Sequence, residues 1–135
     1  MANKMTLAEE YKDIMVKWGD SRMRALAKAK ERGEVTSEGY EELRVALQQK
    51  LDEVASRDCE ELLQEKLDRT IKECENEIVV CEKAMESGNL QEHEMQYCIA
   101  LKQMRENTLS MTDEERRQEI VSMAKSMLEE SDKNQ

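Results

Sequence analysis

The sequence predicts an all-α fold: an elongated antiparallel helical bundle of three to four helices, built around one long central helix with coiled-coil-like packing. Three observations point there. No proline occurs in 135 residues, charged and hydrophobic residues each make up 39%, and apolar side chains recur three and four apart along most of the chain. Phenylalanine is absent, and Trp18 is the sole tryptophan. The core must then be aliphatic, without the large aromatic area that commonly lines small-molecule pockets. This length suits a single helical domain over 1–135.

Helix 1 is expected over about 6–32. Thr6 and Glu9 have capping-box spacing, and Leu7, Tyr11, Ile14, Met15 and Trp18 follow at helical intervals. Gly19, ahead of Asp20 and Ser21, reads as a kink. Gly33 supplies a left-handed C-terminal cap, Thr36 or Ser37 opens the next helix, and Val35 and Tyr40 are spaced as a hydrophobic staple.

The central helix is expected over about 37–87, with Tyr40, Leu43, Leu47, Leu51 and Val54 in its first half and Cys59 to Met85 in its second. The two halves keep different heptad registers. Steps of seven from Tyr40 reach Leu47 and Val54, whereas steps back from Met85 reach Ile78 and Ile71 and then polar Gln64 and Arg57. A stutter in a continuous helix is the reading adopted; a break at 56–58, where Asp58 and Glu61 have capping spacing, is the alternative. Helix 3 follows over about 91–107, after a turn at Gly88 and Asn89. Thr112 with Glu115 then opens helix 4, about 113–130, which carries Ile120, Met123, Ala124, Met127 and Leu128, and the tail after Glu129 should fray. Lys83-Ala84, Gly88, Leu90 and Met95 echo Lys28-Ala29, Gly33, Val35 and Tyr40 at an offset of 55, so the two turns should share a geometry.

Antiparallel hairpins set the pairing. Leu26 should lie beside Leu43, Trp18 beside Leu51, and Met15 beside Val54. In the second hairpin, Leu101 should lie beside Ile78 and Met104 beside Cys74; Cys81 and Cys98 are paired by the same count, and contact between their thiols is left open. Axes about 8–10 Å apart in packed helices argue against a strain-free disulfide there. Helices 1 and 4 should cover the first half of the central helix, leaving the second half with helix 3 alone. Leu62, Leu63, Leu67, Ile71 and Ile78, then Val79, Val80 and Met85, with Tyr97 and Leu101, are therefore the expected partner-binding seam.

Charge is concentrated in the same place. Of the net −10, residues 52–94 hold 14 acids and 5 bases, against 9 acids and 10 bases in residues 1–51. The acidic face comprises Glu60, Glu61, Glu65 and Asp68, then Glu73, Glu75, Glu77, Glu82 and Glu86. Phosphates would be repelled, so no direct nucleic-acid binding is expected.

No catalytic residue, cofactor or metal is expected. His93 is the sole histidine, Leu90 and Tyr97 stand where a Glu-x-x-His or His-Glu-x-x-His motif needs other residues, and the four glycines are isolated. The four cysteines lack zinc-site spacing and read as buried thiols. No apolar run is long enough for a bilayer, the first residues lack a signal-peptide core, and neither Ala2 nor the C-terminal residues offer a lipidation site, so no membrane association and a cytoplasmic protein are expected. The function expected is non-enzymatic: a small acidic helical adaptor, chaperone or scaffold that forms a homo-oligomer or binds a foreign protein. The alternative is an acidic inhibitor, DNA-mimic-like, of the kind found among phage and bacterial accessory proteins, occupying a basic site on a nucleic-acid-processing enzyme.

Overall fold

The computed structural model describes residues 4–133; the readings at Ala2 and at the final two residues lie outside the described residues. Among the described residues the chain is all-helical, with five helices, 87% helix and no strand. In order these are α1 (Leu7–Glu31), α2 (Ser37–Ser56), α3 (Cys59–Glu86), α4 (Glu92–Ser110) and α5 (Asp113–Lys133).

Local chemistry sets most helix ends. The Thr6 hydroxyl accepts from the Glu9 N–H at 3.1 Å while the Thr6 N–H donates to the Glu9 carboxylate at 3.0 Å. The Thr6 N–H, and then its hydroxyl, hold the Glu9 carboxyl below its ordinary range. Thr112 and Glu115 make the same reciprocal pair at the head of α5. Gly33 and Gly88 both adopt φ 73°, so the echoed turns do share this geometry. Beyond Gly33, Thr36 caps α2 through the Gly39 N–H at 2.9 Å, and the Lys30 ammonium lies 4.4 Å from the Tyr40 ring centroid.

The single helix expected over 37–87 is two helices. Arg57 is extended, with φ −91° and ψ 150°, and ends α2. Asp58 opens α3 by accepting from the Glu61 N–H at 3.2 Å, while the Glu61 carboxylate takes the Arg57 guanidinium at 2.8 Å. Lys12 of α1 completes the junction, donating to the carbonyls of Ala55 at 3.0 Å and Arg57 at 2.6 Å. An ammonium there satisfies carbonyls that the helix end leaves without a partner and sits at the negative end of its dipole.

The helices form two compact units, residues 4–63 with 119–133, and residues 64–118. In the first, α1 is the interior helix. It buries Ala8, Tyr11, Ile14, Gly19 and Ser21, whereas α2 buries no residue. Leu63, Ile120, Val121 and Leu128 complete this core. α1 runs unbroken through Gly19, which is a notch that receives Leu51 of α2: a β-carbon added there would overlap the Leu51 Cδ2 methyl and stand 2.9 Å from Cγ. On α1 the Ser21 hydroxyl meets that of Ser131 at 3.2 Å, and Arg24 reaches Asp132 at 3.5 Å. Both pairs advance together along the chain, so α5 runs parallel to α1. The tail expected to fray is thereby held as helix to Lys133. The expected three-helix cross-section forms about α1 rather than about the Leu-rich α2.

In the second unit α3 and α4 are antiparallel, with Cys98 close enough to Cys81 to act on its thiol and Glu77 paired to Arg105. The turn into α5 is closed by Arg116. Its guanidinium donates to the carbonyls of Thr108, Leu109 and Met111 and pairs with Asp113 at 2.6 Å.

Two tests follow from the first unit. Gly19→Ala gains about 1 kcal/mol of helix propensity yet should destabilise by about 1–2 kcal/mol net, because Leu51 must leave its notch. In a Leu51→Ala background the same change should be neutral or stabilising, giving a coupling of at least about 1 kcal/mol in urea melts; additive effects would refute the close approach. Lys12→Met keeps the aliphatic stem but removes both carbonyl contacts, and should cost about 1–2 kcal/mol in the same assay.

Candidate interaction surfaces

The chain's own packing fills much of the expected seam. Leu63 and Leu67 are 0% and 1% exposed, so both are core residues rather than free surface. Along α3, the steps of seven through Leu67, Cys74 and Cys81 give the buried column, while Ile71, Ile78 and Met85 are half-buried, as is Leu62. Val79 and Val80, on the flank of that column, remain exposed. Consecutive residues on a helix point in directions about 100° apart, so a run of four apolar positions cannot all face one neighbour.

α4 contributes a second exposed strip to the same unit. Tyr97 is 67% exposed and Met104 57%, with half-buried Leu101 between them at helical spacing. Met104, expected beside Cys74, is thus mostly in solvent rather than packed against α3. Arg105 turns inward instead, pairing with Glu77 and lying close enough to Cys74 to act on its thiol. The long stem of an arginine packs like an apolar side chain while its head finds a carboxylate.

The acidic face is mostly solvent-facing, but not all of it is free charge. Glu77 is bound by Arg105, Glu61 by Arg57, and Asp68 accepts from Gln64 at 2.9 Å. Glu60 and Glu65 are exposed and have partners too. Glu73, Glu75, Glu82 and Glu86 are exposed and form no ion pair with another described residue. Glu61, Asp68, Glu75 and Glu82 stand at steps of seven, and hence along one side of α3.

A larger apolar surface lies where sequence reasoning placed core. In the first unit, α1 and α2 leave an open groove of about 600 Å³. Met15, Trp18 and Leu26 line it from α1, and Leu43, Leu47 and Val54 from α2. All six residues of the three expected pairs, Leu26 and Leu43, Trp18 and Leu51, and Met15 and Val54, line this groove, and Leu51 packs on Gly19, the neighbour of Trp18. The register was legible; the missing cover was not, because nothing local in the sequence reveals that α5 follows α1. Arg22 and Lys50 also line the groove, and neither makes an ion pair or side-chain hydrogen bond with another described residue. A second hollow, bounded by Glu38, Glu41, Glu42 and Val45, is formed by α2 alone.

No group of three or more metal-ligating side chains is assembled among the described residues, and no described helix is long and apolar enough to cross a membrane. His93 lies exposed in the first turn of α4. All four cysteines are free thiols. Burial raises the Cys74 pKa; for Cys81, burial first and then the adjoining Cys98 thiol do the same. A raised pKa together with low access suppresses the reactive thiolate. Iodoacetamide at mildly alkaline pH should therefore label the part-exposed Cys59 and Cys98 well before Cys74 and Cys81, as read by peptide mass spectrometry; equal labelling in the folded protein would contradict the buried column.

Compared with known proteins, the chain matches no family model, and no curated protein or solved structure is significantly similar to it.

Proposed function

We propose that the chain is a non-enzymatic protein-binding module, an adaptor, chaperone or scaffold that docks proteins through apolar helical faces. The observation that carries this reading is the exposure of large apolar residues on the α3–α4 hairpin. Val80 and Tyr97 are each about two-thirds exposed, although the column between these helices is already filled by Leu67, Cys74 and Cys81. Exposed apolar residues of this size are a characteristic of protein contact sites, and half-buried Leu101 shares the α4 strip with Tyr97. Its partner is a second copy or a foreign protein; nucleic acid is disfavoured by the acids around it.

The test is a pull-down from the native host with tagged protein, comparing the parent with Val80→Asp/Tyr97→Asp. Both positions are exposed, so the variant should keep its circular dichroism and melting temperature while losing its specific partner at least about tenfold. Retention of that partner at full strength would reject this face as the contact.

The exposed, unpaired Glu73, Glu75, Glu82 and Glu86 favour a second reading, an inhibitor that lays an acidic helix into a basic site of a nucleic-acid-processing enzyme. Salt separates the two. A charge-led complex should weaken steeply from low to moderate ionic strength, whereas an apolar contact should hardly respond.

A further inference from the structure

The groove between α1 and α2 has the form of an antiparallel helix pair that lacks a third helix. It extends from Val54 and Met15 at one end to Leu43 and Leu26 at the other, about 16 Å or three helical turns. Its floor is apolar, and Leu43 within it is 52% exposed. An amphipathic helix with anchors three and four residues apart is the ligand that such a groove fits.

The rim specifies the charge of that helix. Because Gly19 packs on Leu51 in an antiparallel pair, Arg22 and Lys50 stand within about one turn of each other across the groove. No carboxylate lines it, and both cations lack a partner among the described residues. Two like charges over an apolar floor favour an occupant that brings acids with its apolar stripe.

The chain itself carries such an element. On α4, Tyr97, Leu101 and Met104 form a stripe at i, i+4 and i+7 spanning about 10 Å, with Tyr97 and Met104 exposed. Glu94 lies exposed one turn before Tyr97. On α3, Glu73 stands seven residues before Val80, hence on the same flank, and with Cys81 near Cys98 it lies within about one turn of the level of Met104; it is exposed and forms no ion pair with another described residue. This stripe thus borders the segment that holds 14 acids and 5 bases, while the groove belongs to the segment that holds 9 and 10.

We infer that the α1–α2 groove binds the α4 stripe of a second copy of this chain, seating Tyr97, Leu101 and Met104 between Arg22 and Lys50. The inference rests on the reading of the chain as a protein-binding module and names the partner. Every copy holds both halves of the contact, so the two are different surfaces rather than one self-complementary patch.

That difference supplies the test. The full chain, with reductant, is followed by light scattering on a sizing column, and Trp18, the sole tryptophan and a groove residue, reports seating through its fluorescence. The parent should associate with rising concentration, and its Trp18 emission should shift to the blue. Arg22→Glu/Lys50→Glu and Tyr97→Glu/Met104→Glu should each stay folded and weaken self-association by at least about tenfold. Mixed one to one, the two variants should associate again, because one carries an intact stripe and the other an intact groove. A parent that stays monomeric at high micromolar concentration overturns the inference, as does either variant associating like the parent, or a mixture that fails to associate. A monomeric parent leaves the module reading standing, since the pull-down with Val80→Asp/Tyr97→Asp decides that separately.

Discussion

The ammonium of Lys12 bound to the Ala55 and Arg57 carbonyls is the contact on which the first unit depends. Without a cation there, the carbonyls at the end of α2 would need solvent or another turn of helix, and the stretch from Asp52 to Glu61 contains ordinary helix formers that would supply that turn. Lys12 makes the interruption the satisfied state. It also pins the end of α2 to the second turn of α1, which sets the register that brings Leu51 into the notch at Gly19.

Small residues then decide which helix becomes interior. Ala8, Gly19 and Ser21 give α1 sides on which a neighbour can approach closely, and all three are buried. α2 has larger side chains and no buried residue. Large apolar residues favour burial, but a helix can be flanked on two sides only where its surface admits two backbones. The result is that α1 carries α2 against Gly19 and α5 against Ser21, and α2 keeps an apolar side toward solvent.

What was legible in the sequence was local. Thr6 with Glu9, Thr112 with Glu115, Gly33 and Gly88 announce themselves within four residues, and the helices begin and turn there. Hairpin pairing was legible in part, because a short turn leaves little choice of register: Cys98 comes close enough to Cys81 to act on its thiol. Interactions between distant residues were not. Lys12 lies 43 and 45 residues from the carbonyls it binds, and Ser21 lies 110 from Ser131. Hydrophobicity misled in two places. It put Met104 rather than Arg105 against α3, and it placed Leu63 and Leu67 in a seam for partners when they complete the chain's own cores.

These corrections change what the exposed surface means. A chain with no phenylalanine and one tryptophan has few strong anchors, yet Trp18 lines an open groove and Tyr97 stands in solvent. Burying an aromatic side chain is among the larger single contributions available to a helical protein of this composition. Here that burial is not completed within the described chain. Cations without partners in the groove and carboxylates without ion pairs along α3 repeat the pattern in charge. Apolar area and charge are thus left open together in each unit, and it is on these open groups that the proposed association rests.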